Sequence, residues 1–122
     1  MKPEIILIGG GGHCKSCIDV VEQENKFKIK GIVDVEDKIG KWVLGYEIFA
    51  TDGDIAGLVN RNNFFLITLG QIKNPTKRIK IFNLLKNLNA QLPTIISPRA
   101  YVSNHSQIGQ GTIIMHDAVI NA

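Results

Sequence analysis

From Ile55 to His116 this 122-residue chain contains no acidic residue, against seven basic ones: Arg61, Lys73, Lys77, Arg78, Lys80, Lys86 and Arg99. Residues 1 to 54 are the reverse, with ten acids and seven bases, so the net charge of +3 conceals a strong asymmetry. A stretch of one sign suggests an anionic ligand such as nucleic acid, a nucleotide or a coenzyme A phosphate. Aromatic residues do not alternate with the bases, which argues against a stacking platform for single-stranded nucleic acid. Cysteine is scarce as well. Two residues three positions apart, Cys14 and Cys17, make no disulfide framework. Long apolar runs are missing, and the first, Ile5 to Ile8, is too short for a signal peptide or a membrane span. With 44% apolar residues and four prolines the chain is not disordered either. The expectation is one domain, or one domain and a fragment, in the cytoplasm.

What the sequence does have is a rhythm. Ile96, Val102, Ile108, Ile114 and Ile120 fall six apart, each preceded two positions earlier by Thr94, Ala100, Ser106, Thr112 or Ala118. Hexapeptides with an aliphatic anchor predict a parallel β-helix, three to a triangular coil. Residues 94 to 122 supply about one and a half coils, fewer repeats than a solenoid needs, so this stretch is expected to self-associate or fray.

Upstream, strands alternate with helices. A short apolar strand, Glu4 to Ile8, runs into Gly9-Gly10-Gly11-Gly12-His13 and then a helix from about Cys14 to Glu24. At 100° per residue Cys14, Cys17, Ile18 and Val21 share one face of it. Phe27 to Asp34 reads as a second strand, Val43 to Ile48 as an extension or hairpin, and Phe64 to Leu69 as a buried strand. Thr51 or Asp52 is placed to cap a short helix. Pro75 opens another helix to about Leu88, with Asn74 as its N-cap. Pro93 to Ile96 is expected to be the last strand of the sheet. The sum is an α/β fold, a small Rossmann-like parallel sheet over residues 1–93, followed by the first coils of a parallel β-helix over 94–122.

The glycine loop is the main candidate for chemistry. Between a strand and a helix, consecutive glycines let backbone N–H groups approach a phosphate while the helix dipole favours its charge. The dinucleotide fingerprint is incomplete, because its third glycine would fall at Cys14, which weakens an NAD reading. Asp34 lies 25 residues after Gly9, roughly where an acid would meet a ribose. A turn needed only for close packing would also explain the glycines. His13 stands at the loop's end and the helix N-terminus, so it either faces a ligand or caps the turn. Arg78 points toward the sheet or its rim, which suits snorkelling or a ligand contact. Cys14-Lys15-Ser16-Cys17 at a helix N-terminus admits redox chemistry, although both cysteines lie on the apolar face. No second ligand pair exists for a zinc site. His105 and His116 take outward positions in the repeats, where any polar residue is expected.

Taken together, Ile5-Ile6-Leu7-Ile8-Gly9-Gly10-Gly11-Gly12-His13, Gly31-Ile32-Val33-Asp34, Val43-Leu44-Gly45, Leu69-Gly70 with Arg78, Ile96-Ser97-Pro98, Thr112-Ile113-Ile114-Met115 and Ala118-Val119-Ile120-Asn121-Ala122 form a specific combination. In these the chain resembles, along its whole length, the bacterial sugar O- and N-acetyltransferases of surface-glycan synthesis, which include sialic acid O-acetyltransferases and enzymes acting on UDP-4-amino sugars. The resemblance implies an N-terminal domain that binds a free or UDP-linked acceptor sugar through Gly9, Gly10, Gly11, Gly12, His13 and Asp34, with Arg78 as a further candidate contact. It also implies a left-handed β-helix that trimerises and binds acetyl-CoA between neighbouring helices. The family's general-base histidine lies about one coil beyond the Ile-Asn-Ala segment, past Ala122, so no catalytic residue is assigned and His116 does not inherit the role. The expectation is a chain that binds acceptor and is a poor catalyst alone, with no bound cofactor, metal, nucleic acid or membrane. A non-catalytic nucleotide-binding module and a thiol redox protein are the alternatives.

Overall fold

The computed structural model describes residues 2–70 and 75–122. Five strands form one sheet: β1 (Glu4–Ile8), β2 (Lys28–Asp34), β3 (Trp42–Val43), β4 (Tyr46–Thr51) and β5 (Asn63–Ile67), in the order β3-β4-β2-β1-β5. Strands β4, β2, β1 and β5 run parallel, and β3 closes one edge as the antiparallel arm of a hairpin with β4. The hairpin expected near Val43 is therefore present, but its second arm is a full member of the sheet.

Side chains alternate across a strand, so β1 divides between two cores. Ile5 and Leu7 pack with Cys14, Cys17, Ile18 and Val21 of helix α1 (Gly12–Glu24), while Ile6 and Ile8 pack on the opposite face. There they meet Ile55 of the short helix α2 (Ile55–Leu58) and Ile81 and Leu85 of α3 (Thr76–Asn87). Helices on both faces of a parallel sheet account for β1 being apolar at every central position. Helix α1 ends at Asn25, whose left-handed backbone (φ 60°) lets its N–H reach Val21 O at 3.1 Å. Thr51 forms a capping box with Asp54 ahead of α2. The N-cap expected at Asn74 lies outside the described residues.

The strand expected at Pro93 to Ile96 does not join this sheet. Gln91 alone bridges to Phe64 at the sheet edge, with Phe65 N donating to Gln91 O at 2.9 Å. Instead β6 (Ile95–Ile96) pairs in parallel with β8 (Ile113–Ile114), and β7 (Tyr101–Val102) with β9 (Val119–Ile120). A short apolar run does not say which strand it will meet, and here the partner comes later in the chain. Partners Ile95 and Ile113, and Tyr101 and Val119, stand 18 positions apart in both ladders. The five aliphatic anchors and their small partners are all buried or half-buried, while Tyr101, His105 and Val119 between them are exposed. This segment docks on α1: Ile95 is fully buried in the α1 core, with Ile113 and Met115 packed against it.

Candidate functional site: a glycine cradle at the carboxyl edge of the sheet

Ligands of open parallel sheets gather beyond the carboxyl ends of the strands, and the sequence candidates meet there. Chain direction reverses from β1 into α1 across Gly9 to Gly12. Gly9 takes φ +116°, donates to Val33 O at 2.8 Å and accepts the Thr68 hydroxyl at 2.6 Å. A Cβ on Gly9 would lie 2.7 Å from Leu69 Cδ2, and one on Gly10 would lie 2.9 Å from Ile48 Cδ1. At Gly10 a side chain would press on Ile48 and Asp34, and Gly9, with its positive φ and the Leu69 backbone against it, is required by the fold. Gly11 and Gly12 are not: a Cβ on either would meet nothing within 4 Å, and neither has a positive φ. Close packing thus accounts for half of the glycine run and leaves the exposed half unexplained.

Gly11 is the N-cap of α1 and offers no side-chain cap, and the first turn contains no acid. The leading N–H groups of a helix have no acceptor four residues back. That of Cys14 turns to Gly11 O at 3.1 Å, and those of Gly12 and His13 are left without a partner among the described residues, at the positive end of the dipole. An anion at Gly11 to His13 would meet bare backbone, with no side chain in the way.

Asp34 ends β2 beside this loop and is 5% exposed. Its Oδ2 accepts the Gly10 N–H at 2.8 Å and its Oδ1 the Val35 N–H at 2.7 Å, with Lys38 Nζ 3.7 Å away. The carboxylate holds the loop in shape, and a ligand would have only its remaining lone pairs. Thr68, not singled out from sequence, does the same from just past the end of β5. A polar residue closing an apolar strand was its only signal.

Arg78 lies in the first turn of α3 and reaches back to the end of β5, with Nη1 3.5 Å from Ile67 O and 3.3 Å from Leu69 O. Among the described residues no carboxylate forms an ion pair with it. Arg78 and His13, distant in sequence, line one cavity of about 270 Å³ together with Leu69, Ile113 and Met115. An adjoining cavity of about 320 Å³ also carries Arg78, with Gln110 to Ile113 on its far wall. The site therefore has three sides: the glycine cradle, α3, and the segment that follows the sheet.

The family model of the PglD N-terminal domain matches residues 4–85, a span that includes the glycine loop, Asp34 and Arg78. The chain belongs to this family. Among solved structures it is similar to PerB from Caulobacter crescentus, in complex with CoA and GDP-perosamine, at 27% identity and a TM-score of 0.83. That match covers 98% of this chain and 54% of PerB. It is also similar to the acetyltransferase domain of PglB from Neisseria gonorrhoeae FA1090, in complex with acetyl coenzyme A, at 26% identity and a TM-score of 0.81. There it covers 98% of this chain and 56% of the PglB domain. The PglD-type chain thus spans about half the length of these relatives. No curated protein gives a significant sequence match.

The cysteines of this PglD-type domain are free, fully buried thiols. Burial raises the pKa of both, that of Cys17 to about 12, with the neighbouring Cys14 adding to it. A redox thiol needs the opposite shift. Native protein should therefore leave Ellman's reagent unreacted at pH 8 over minutes and release two equivalents when unfolded in guanidinium. Because the folded pKa of Cys17 lies above the unfolded value, its contribution to stability is complete below pH 9.0 and declines as pH rises toward about 12. Denaturant midpoints at pH 8, 9.5 and 11 should fall in that order, and a Cys17→Ala variant should flatten the decline.

The histidines of the repeats part company. His105 is exposed, as its place in the hexapeptide predicts. His116 is not free: its Nε2 lies 2.8 Å from Asp19 Oδ2 of α1, and its Nδ1 is hydrogen-bonded to Ser97 Oγ.

Proposed function

We propose that this chain is the acceptor-binding part of an acetyl-CoA-dependent sugar acetyltransferase and that it holds a nucleotide-linked sugar at the glycine cradle. One observation carries this reading. Gly11 and Gly12 front an uncapped helix N-terminus at the carboxyl edge of the sheet and have open space where a side chain would go. A diphosphate would lie along the N–H groups of Gly11 to His13, and the cavity shared by His13 and Arg78 would take what the diphosphate carries. PerB, bound to GDP-perosamine and CoA, and the PglB domain, bound to acetyl coenzyme A, lend support from relatives that share this architecture.

Residues 1–93 form the acceptor domain in this account, and residues 94–122 open a left-handed β-helix. The 18-residue offset of both parallel ladders suits a coil of three hexapeptides. Acetyl-CoA would be the donor in a homotrimeric, cytoplasmic enzyme. The amine or hydroxyl of the acceptor would attack the thioester carbonyl, forming the amide or ester, while the coenzyme A thiol leaves and takes up the proton. His116 is not the base that removes that proton, because both ring nitrogens are already engaged.

Calorimetric titration tests the binding claim. UDP- or GDP-linked amino sugar should bind with micromolar affinity, with NAD and acetyl-CoA weaker by at least about tenfold. Preference for NAD, or no binding of either nucleotide sugar, would contradict it.

A further inference from the structure

Two contacts tie α1 to the segment that follows the sheet, and neither is needed to fold the sheet itself. Glu24, in the last turn of α1, accepts the Ile96 N–H at 3.0 Å on Oε2, and its side chain is 7% exposed. Five residues earlier Asp19 receives His116, which in turn meets Ser97. The Ser97 hydroxyl oxygen already accepts the Arg99 N–H at 3.0 Å, so its own proton is free for His116 Nδ1. Nε2–H then donates to Asp19, so both ring nitrogens are matched.

A serine, histidine and aspartate in series suggest nucleophilic catalysis, but Ser97 is 1% exposed and no acyl group can reach it. The arrangement instead joins two parts of the molecule. Helix α1 begins at the glycine cradle, and its flank meets Ile113 and Met115, which wall the cavity that His13 and Arg78 share. Whatever fixes residues 113–116 against α1 also fixes that wall against the cradle.

We infer that Asp19, His116 and Ser97, with Glu24, form a clamp that positions the far wall of the ligand cavity. His116 and Asp19 act as positioning residues for the part of the ligand beyond the diphosphate. The role in ligand selection rests on the nucleotide-sugar reading above, whereas the clamp itself stands on geometry alone.

The test uses the full chain with Asp19→Ala, His116→Ala, the double variant and His116→Gln. Two readouts are taken: hydrogen exchange at the Ile96 and Ser97 amides, and titration with a nucleotide sugar beside the matching nucleoside diphosphate. Asp19 has a half-exposed side chain, so its replacement leaves the fold intact even if His116→Ala does not. Asp19→Ala and His116→Ala should each speed exchange at these amides about tenfold and weaken the nucleotide sugar about tenfold. The nucleoside diphosphate should change by less than about twofold. The double variant should be no worse than the worse single one, and His116→Gln, which keeps a donor toward Asp19, should recover most of the loss. Unchanged exchange, additive effects, or equal losses for the diphosphate and the sugar would overturn the clamp. If wild-type chain binds neither ligand, the nucleotide-sugar reading and the ligand role both fail, while exchange and coupling still decide the clamp.

Discussion

Replacing Gly11 with aspartate is expected to stabilise the chain and abolish its hold on a nucleotide sugar. Gly11 is the N-cap of α1, with extended backbone (φ −82°, ψ −163°) and nothing within 4 Å of a new Cβ. Aspartate is among the best N-cap residues because its carboxylate accepts the N–H group two or three positions on, here that of His13, since the Cys14 N–H already meets Gly11 O at 3.1 Å. The negative charge at the helix N-terminus adds about 0.3–1 kcal/mol. Folding stability should therefore rise by roughly 0.5–1 kcal/mol. The same carboxylate would occupy a donor that a diphosphate needs and repel its charge. Loss of the charge-assisted hydrogen bond from His13 N–H, together with the charge repulsion, corresponds to about 3 kcal/mol, roughly a hundredfold in affinity. A Gly11→Ala variant separates the effects, since it adds neither cap nor charge and should weaken binding far less. Thermal melts and calorimetry on the pair check both halves. Unchanged affinity in Gly11→Asp would remove the cradle from the account.

Gly9→Val should show the reverse pattern, a loss of stability that precedes any question of binding. Gly9 holds φ +116°, a backbone region closed to side chains, and a Cβ there would lie 3.0 Å from the backbone N of Leu69. Backbone strain of this kind costs about 1–3 kcal/mol, and the clash adds to it. The hydrogen bonds from Gly9 to Val33 O and from Thr68 to Gly9 O tie that position to β2 and β5, so it cannot relax alone. A loss of about 3 kcal/mol, or a fall in melting temperature on the order of 10 °C, is the expected outcome. Gly10→Val would collide with Ile48 and Asp34 and so confound folding with binding. Position 11 is the informative one.

These opposed outcomes mark what the sequence could and could not say about the loop. Four glycines between a strand and a helix raise the expectation of a phosphate cradle, yet nothing in their order separates Gly9 and Gly10, packed against Leu69 and Ile48, from Gly11 and Gly12, which face solvent. Asp34 was legible as an acid near the loop. Its hydrogen bond to Gly10, 24 positions away, was not, because the parallel pairing of β1 with β2 sets it. Helical periodicity found Cys14, Cys17, Ile18 and Val21 but passed over Val20, which is also fully buried. The helix is covered on a second flank, and one apolar stripe describes only the flank toward the sheet. Ile95, Ile113 and Met115, beside the six-residue anchors rather than on them, were the visible trace of that docking. His116 falls at an outward position of its repeat, and its partner Asp19 is 97 residues earlier, beyond the reach of any local pattern.

The six-residue period was the most transferable signal. It set the anchors six apart and three hexapeptides to a coil, and the structure pairs Ile96 with Ile114 and Val102 with Ile120, 18 positions apart. Its weakness lay at the boundary, where Pro93 to Ile96 looked like one more strand of the sheet. Register is set by the strand that lies alongside, and for Ile95 and Ile96 that strand belongs to the repeats.

The most direct test of the central claim is amide chemical-shift mapping of the isotopically labelled chain during titration with a nucleotide-linked amino sugar. The account predicts saturable shifts concentrated at Gly11, Gly12, His13 and Cys14, with the Arg78 side chain and Ile113 and Met115 following. Shifts confined to another surface, such as the cleft lined by Lys2, Phe27 and Tyr46 at the opposite end of the strands, would contradict it.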